Sequence, residues 1–244
     1  PTMTRQADLD RFYALLDDLA DRIDGPYRLK NCTGRMDWPN RGLYVFLEPG
    51  ETRERTDQRR LTRVGTHAVS AGSSTTMWDR LKQHYGTGSR SSDHPHGGNH
   101  RGSVYRKRVG EAFIEKYDLD AEYPSWHDRW SSIDRDRSVV RDEEYILERR
   151  VSTYIREQPF LWVPVDDDPS PESDRAYLEA NIIGLVSNFE RPTADPRADD
   201  WLGRHSRARE IRGSGLWNVN HVEETYDPAF LDRFESAVGE ATPP

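Results

Sequence analysis

The chain has 244 residues, enough for one well-filled core, and a net charge of −8 with 34% apolar and 32% charged residues. Seven Trp and eleven Tyr exclude a disordered chain, and the single cysteine, Cys32, excludes an intrachain disulfide framework and a cysteine zinc site. No apolar run nears the ~20 residues of a membrane span and no signal peptide is evident. We therefore expect a cytoplasmic protein with no membrane partner.

The first predicted elements are a helix and two strands. Apolar residues recur at three-four spacing over residues 7–23, which predicts an amphipathic helix. Alternating apolar positions predict strands over residues 43–47 and 61–69. Pro49-Gly50 is expected to turn the chain out of the first strand. Residues 51–60 are nearly all charged, so we expect them to form a solvated loop and not to enter the core.

The remaining predicted elements are mostly helical. The Ser/Thr cluster before residue 75 offers an N-cap, and a Gly-, Ser- and His-rich excursion follows the next helix. In chain order the predictions are a helix at 75–86, the excursion at 86–102, a helix at 103–117, irregular chain at 118–138, a helix at 140–157, a strand at 160–165 and a helix from Ser170-Pro171 to about residue 188. Three strands and several helices indicate an α+β or α/β fold.

Charge is unevenly distributed along the chain. Residues 41–110 hold 13 Lys+Arg against 6 Asp+Glu, whereas the remainder holds 22 against 37. A basic region beside an acidic remainder is typical of a site that binds a polyanion, although a block of charge is also ordinary solvated surface.

Three residues of the second predicted strand share one face. Arg63, Gly65 and His67 lie at i, i+2 and i+4, and a glycine within a strand often marks the close approach of a ligand. A phosphate would fit between the cation and the imidazole. The same spacing is equally compatible with a weak edge strand that carries two solvated polar residues.

Two further candidates lie one helical turn apart on the following helix. Arg80 and His84 share a face, and an arginine fork suits a scissile phosphate because it bonds two oxygens and stays charged. Polar pairs at this spacing are also common on ordinary exposed helix faces.

A single carboxylate stands inside an apolar helix far downstream. Glu179 is bracketed by apolar residues, and such a carboxylate is seldom buried without a partner. A divalent metal or an arginine would satisfy it, and oxygen ligands with phosphate substrates favour Mg²⁺. The alternative is a glutamate at the rim of the apolar stripe.

Two other segments remain open. His94, His96 and His100 could bind a metal, but the surrounding glycines, proline and serines favour a flexible loop with incidental histidines. The aromatic and polar segment 214–221 is compatible with a closing strand or with a DNA contact, and its sequence does not decide between them.

Taken in order, these residues resemble the GIY-YIG nuclease family. Gly42-Leu43-Tyr44 matches the first motif, and Arg63-Val64-Gly65 occupies the place of the second with arginine in place of tyrosine. Arg80 matches the family's helix arginine and Glu179 its metal-binding glutamate, while Asn188 is the candidate for the asparagine that closes the motif set. The pairing of Arg80 with His84 is similar to the restriction-endonuclease branch. The intervals between the motifs are longer than usual, and the interval from Glu179 to Asn188 is shorter.

The resemblance implies an α+β fold with a small three-stranded antiparallel sheet flanked by helices, an N-terminal helix and insertions. It divides the chain into an N-terminal helical extension (1–40), a nuclease core (41–190, with an insertion at about 86–138) and a C-terminal extension (191–244) packed on the core.

The resemblance also implies a metal-dependent DNA endonuclease of the restriction or defence type, which would hydrolyse phosphodiester bonds of double-stranded DNA and could act as a homodimer. Its cofactor would be Mg²⁺ (or Mn²⁺) on Glu179. The implied catalytic residues are Tyr44, Arg63, His67, Arg80, His84 and Glu179. The expected DNA contacts are Arg53, Arg55, Arg59, Arg60, Arg101, Arg106, Lys107 and Asn188.

Two alternatives remain at this stage. One is a DNA-binding module on the same fold without catalysis, which the altered second motif favours. The other is an acidic interaction domain whose resemblance to the family is accidental.

Overall fold

A computed structural model describes residues 4–91 and 93–244. The helices are α1 (Arg5–Arg22), α2 (Met77–Tyr85), α3 (Val104–Tyr117), α4 (Arg137–Glu157), α5 (Asp174–Val186), α6 (Arg209–Ser214) and α7 (Phe230–Gly239). The strands are β1 (Tyr27–Arg28), β2 (Gly42–Thr52), β3 (Arg59–Thr66) and β4 (Pro159–Pro164). Every helix in this described part of the chain is too short or too polar to cross a membrane.

The four strands form one antiparallel sheet in the order β1-β4-β2-β3. The predicted α+β fold and its three-stranded antiparallel core are confirmed, and the two-residue strand β1 is an addition at one edge. In the β2–β3 register, Tyr44 pairs with Gly65 and Phe46 with Arg63. Directly opposed residues of an antiparallel pair point to the same side, so these four residues share one face of the sheet.

Helices cover both faces of the sheet. On the face of Phe46, its ring lies 5.4 Å from that of Tyr105 on α3 and 6.3 Å from that of His84 on α2. Helices α1, α5 and α7 pack together, with Phe12 and Phe234 at 5.2 Å between ring centroids, and contact β2, β3 and β4 from the opposite face. The layered arrangement buries the sheet between the helices that carry the candidate site residues.

The β2–β3 hairpin departs from the predicted turn and solvated loop. Strand β2 continues through Pro49-Gly50 to Thr52, with two register irregularities in its pairing with β3. Within the charged stretch, Glu51, Arg53 and Arg60 are buried. The expectation that none of 51–60 enters the core is therefore wrong. Hydropathy missed these residues because their charges are paired inside the fold, Arg53 with Asp10 and Asp195 and Arg60 with Glu51 of the same stretch.

Other boundaries differ for identifiable reasons. Helix α5 begins at Asp174, because Ser173 and not Ser170 accepts the capping hydrogen bond, from the backbone N–H of Ala176. Strand β3 ends at Thr66, before Ala68 with its positive φ of 53°. Helix α4 begins three residues earlier than predicted, and α6 and α7 were not predicted. The domain boundaries stay a prediction.

The segment 214–221 runs along the outer edge of β3. The backbone N–H of Trp217 donates to the Thr62 carbonyl at 2.7 Å, and the Asn218 side chain bonds both the N–H and the carbonyl of Val64, at 3.0 and 2.9 Å. An amide that pairs with one residue's N–H and C=O imitates a neighbouring strand. The segment therefore closes the sheet edge without forming a regular strand.

Candidate functional site

The site begins where the Tyr44 ring crosses its neighbouring strand. A Cβ placed on Gly65 would lie 2.4 Å from both the Cζ and the hydroxyl oxygen of Tyr44, so only glycine leaves room for the phenol there. Tyr44 and Gly65 are paired in the β2–β3 register. The glycine of the second motif thus admits the tyrosine of the first.

A chain of hydrogen bonds leads inward from the phenol. The Tyr44 hydroxyl lies 2.7 Å from His84 Nε2, and His84 Nδ1 lies 2.9 Å from the Ser103 hydroxyl. Ser103 is the N-cap of α3 and also accepts the backbone N–H of Arg106. Burial, with the nearby Arg80, Arg63 and Arg106 charges, holds the pKa of His84 well below its usual value. His84 is therefore a neutral imidazole with a partner on each nitrogen.

Two arginines near His84 have unused donors. Arg63 lies with its guanidinium 4.8 Å above the Tyr105 ring, and it donates a hydrogen bond to the Trp217 carbonyl at 3.4 Å. Arg80 donates to the Gln83 side chain at 2.8 Å. Within residues 4–91 and 93–244, the buried Nε atoms of Arg63 and Arg80 have no hydrogen-bond partner. Two cations with buried, unpaired donors favour an anion at this place.

His67 lies beside Arg80 at the end of β3. Its Nδ1 is 3.0 Å from the Thr75 carbonyl, and its Nε2 is buried without a hydrogen-bond partner in the part of the chain that the structure describes. Burial, followed by the charges of Arg175 and Arg80, lowers the pKa of His67 to about 4. His67, Arg80, Thr66 and Gln83 line an open cavity of about 250 Å³, called the site cavity below.

Glu179 reaches this group from α5. Burial raises its pKa above the usual value, whereas the charges of Arg63, His221 and Arg80 and a backbone hydrogen bond from Thr66 act in the opposite direction. Within the described chain, Glu179 makes no ion pair within 4.0 Å. A half-buried carboxylate whose nearby cations are too distant to pair directly remains free to accept another cation.

The donor set suits one kind of metal ion. Among the described residues, no three His, Cys, Asp or Glu side chains come together in a way that could hold an ion. Mg²⁺ nevertheless keeps several waters and is bound through one or two carboxylates together with substrate phosphates. The single carboxylate of Glu179 fits that mode and does not fit a zinc site, which needs three or four protein ligands.

The sequence was compared with models of protein families. The sequence model described as GIY-YIG domain matches residues 3–244, nearly the whole chain. The chain belongs to the GIY-YIG domain family. GIY-YIG membership supports a nuclease-type function on DNA, and GIY-YIG nucleases typically depend on a divalent metal. Neither the curated proteins nor the solved structures contain a match.

Three of the arginines predicted to contact DNA lie inside the fold. The guanidinium of Arg53 donates hydrogen bonds to Asp195, Asp10 and Gln58. That of Arg60 donates to Glu51 and the Gly215 carbonyl. That of Arg106 donates to Glu148, Ser152 and the His84 carbonyl. All three are buried, Arg106 completely. Because their donors already serve the fold, we do not propose them as DNA contacts.

Three of the other predicted contacts also have their polar groups engaged within the fold. Arg101 forms a two-pronged ion pair with Glu144, and the Lys107 ammonium donates to the His127 carbonyl at 3.0 Å. Asn188 uses its amide within the fold, toward Arg5, Ala194 and Asp195.

Arg55 and Arg59 are exposed, but they lie at the closed end of the β2–β3 hairpin. Arg59 is six residues from Gly65, or roughly 20 Å along an extended strand. Arg55 and Arg59 therefore lie away from the site, whereas Arg106 contacts the His84 carbonyl but has its donors engaged within the fold.

Sequence reasoning missed two contributors. Ser103 is an ordinary helix N-cap in sequence, and only the fold shows that its hydroxyl also orients His84. Asn218 lies against β3, where its side chain forms two hydrogen bonds with the backbone of Val64 in the Arg63-Val64-Gly65 motif. An Asn in the segment between Trp217 and His221 was visible, but its pairing with Val64 was not.

The histidine-rich loop has a structural use. His100 is buried, stacks on Trp126 with ring centroids 3.7 Å apart, and bonds Glu148 at 2.9 Å. His94 bonds Asp142, and His96 lies against Arg156. Each of the three histidines therefore has its own partner within the fold, and the buried His100 is not an incidental residue of a flexible loop.

Proposed function

We propose that this protein is a Mg²⁺-dependent DNA endonuclease that hydrolyses phosphodiester bonds. The observation that carries the proposal is the gathering of unpaired, buried nitrogens around one free carboxylate. Arg63 Nε, Arg80 Nε and His67 Nε2 have no hydrogen-bond partner among the described residues, and the charges of both arginines act on Glu179. An unsatisfied buried polar group costs stability, so three such groups near one carboxylate favour a bound ligand there.

The two arginines would hold the scissile phosphate. A guanidinium stays charged and donates in a fixed fork that matches phosphate oxygens. Their unused Nε donors are in place before substrate arrives, so they need little reorganisation as negative charge builds on the phosphate. Arg63 would thereby replace the tyrosine of the usual second motif as a binding group for the phosphate.

The Tyr44–His84 pair would prepare the attacking water. If the Ser103 oxygen, which caps α3, accepts the proton of His84 Nδ1, then Nε2 is left as an acceptor for the Tyr44 hydroxyl. A neutral histidine can then take the phenolic proton while the phenol takes one from water. Tyr44 has no exposed surface in the free protein. The side chains that cover it must therefore shift when DNA binds, so that water can reach the hydroxyl.

Glu179 would hold the metal ion. When bound, Mg²⁺, or Mn²⁺ in its place, supplies positive charge that stabilises the departing oxygen and the phosphate. Glu179 would position this charge near Arg63 and Arg80, whose charges act on its carboxylate.

The biological setting is a further part of the proposal. Arg80 and His84 lie one helical turn apart, and His84 is hydrogen-bonded to Tyr44. This pairing supports the arrangement of the restriction-endonuclease branch, and with it a restriction or defence role on double-stranded DNA. The homodimer on DNA stays a prediction.

The test is a cleavage assay on plasmid DNA with Mg²⁺. We expect nicked or linear products from the wild-type protein and loss of cleavage in Glu179→Gln and Tyr44→Phe. Matched controls are Glu172→Gln and Tyr117→Phe, which alter exposed residues of the same types. Cleavage that survives both site substitutions would overturn this mechanism.

A non-catalytic DNA-binding module is the second candidate. One observation favours it: the second motif carries Arg63, stacked on Tyr105, where a tyrosine is usual. DNA binding that weakens steeply with salt, without any cutting in Mg²⁺ or Mn²⁺, would support this candidate over the nuclease.

A further inference from the structure

A second cavity opens beside the site cavity along α2. It has a volume of about 280 Å³ and is called the flanking cavity here. Gln83 lines both cavities, so the two openings adjoin at this side chain. The other residues of the flanking cavity are Asp79, Lys82, Gly86, Thr87, Gly98, Asn99, Gly102 and Arg141.

Two free cations stand in the wall of the flanking cavity. Lys82 on α2 and Arg141 on α4 are both exposed, and within residues 4–91 and 93–244 neither forms an ion pair within 4.0 Å. The one carboxylate of the wall, Asp79, is held by the N–H and hydroxyl of Thr76 in the α2 capping box. Lys82 helps to lower the pKa of Asp79 but makes no direct contact with it.

The rest of the wall suits a sugar-phosphate chain. Gly98 and Gly102 contribute no side chain, and Asn99 adds a polar edge. Gln83 accepts a hydrogen bond from Arg80 on its Oε1 at 2.8 Å, which leaves its amide nitrogen free to donate. A DNA backbone that extends from the Arg80 guanidinium into the flanking cavity would therefore meet the Gln83 amide and then the cations of Lys82 and Arg141.

We propose that the flanking cavity binds the phosphates of the DNA strand next to the scissile phosphate, through Lys82, Arg141 and the Gln83 amide. This proposal rests on the proposed nuclease function, since it takes the site cavity to hold the cleaved bond. It assigns DNA contact to residues that the sequence did not single out, in place of the internal arginines Arg53, Arg60 and Arg106.

The test measures binding of a labelled DNA duplex across a salt series, without metal, by fluorescence anisotropy. We expect Lys82→Ala/Arg141→Ala to weaken binding and to reduce the slope of log K against log salt by about 0.9 per lost phosphate contact, or about 1.8 in all. The matched control is Arg55→Ala/Arg59→Ala, which removes two equally exposed cations at the hairpin tip. We expect the control to keep the wild-type slope.

The outcomes separate this proposal from the nuclease function. A wild-type protein that cuts plasmid while both double variants show equal slopes overturns the flanking cavity alone. A wild-type protein that neither binds nor cuts DNA overturns both proposals. Unchanged thermal melting of the two variants, together with restored binding in Lys82→Arg, confirms that charge at this place and not misfolding is responsible.

Discussion

The two ends of the β2–β3 hairpin use the same residue type in opposite ways. At the closed end, Arg53 and Arg60 are buried and bonded to carboxylates, amide or backbone oxygens. Near the open end, Arg63 of β3 and Arg80 of α2 each have a buried Nε with no partner among the described residues, although Glu179 lies near both. An arginine paired with a buried carboxylate is committed to the fold, because its removal leaves that charge unpaired, whereas an arginine with a free donor is available to a substrate anion.

The largest expected effect on stability is at the closed end. Arg60→Ala leaves Glu51 buried with its cation removed, which should lower the free energy of unfolding by about 3–5 kcal/mol. Urea denaturation measures this loss. Arg59→Ala, a substitution of the exposed neighbour, is the control and should change little. Equal stabilities of the two variants would contradict the comparison.

The matching change at the open end should affect chemistry and not stability. Arg80→Ala removes a donor that we propose binds the phosphate, so we expect kcat for DNA cleavage to fall by about 10²–10³. The melting temperature should stay close to that of the wild type, since Arg80 makes no ion pair among the described residues. Cleavage at the wild-type rate would show that the unpaired nitrogen has no role in the reaction.

The substitution Gly65→Ala tests whether cleavage requires room for the Tyr44 ring, without removing any charge from the site. Its carbon would stand 2.4 Å from the Tyr44 hydroxyl and force the phenol away from His84, and a misplacement of ~1 Å can cost about 10²-fold in kcat. Gly88→Ala is the control, because nothing lies within 4 Å of an added Cβ there. If Gly65→Ala retains full cleavage, the crossing of Tyr44 over β3 is not needed for function.

Removal of the Ser103 hydroxyl should have a smaller effect. Ser103→Gly keeps an acceptable N-cap, at a cost of a few tenths of a kcal/mol, but releases His84 Nδ1. If His84 acts as proposed, we expect kcat to fall about tenfold, the lower end of the cost of removing a hydrogen-bond partner that orients a metal-ligating histidine. Ser103→Thr should restore the rate, and a shift of the acid limb of the pH–rate profile in Ser103→Gly alone would mark an effect on His84.

The smallest expected effect is a pH dependence of stability at His67. Its folded pKa of about 4 lies below the ordinary value of 6.5, so the unfolded chain takes up the proton first as the pH falls. The free energy of unfolding should therefore decline between about pH 6.5 and about pH 4 from this group and level off below. Denaturation at several pH values compares wild type with His67→Gln, in which this part of the decline should vanish.

The open end was readable from sequence because its signals are local. Strand alternation placed Tyr44 and the Arg63, Gly65 and His67 series, and helical spacing placed Arg80 and His84 on one face. The structure brings these residues and Glu179 together, and their catalytic roles stay predictions. The Thr76 N-cap of α2 and the apolar surroundings of Glu179 were also local features.

The closed end was not readable because its partners are distant. The pairings of Arg53 with Asp195 and of Arg60 with Gly215 span more than half of the chain, and the sequence around the hairpin gives no signal that predicts them. Helix α7 is a different case. Its buried Phe230, Phe234 and Val238 recur at four-residue spacing, a signal that was present but was not used.

The C-terminal segment on the outer edge of β3 has a consequence for self-association. A bare edge strand offers its free N–H and carbonyl groups to a strand from another molecule, which is a common route to aggregates. Trp217 and Asn218 occupy those groups at Thr62 and Val64. The strand that carries Arg63 is thereby shielded from strand addition, and loosening of this segment would open it to intermolecular pairing.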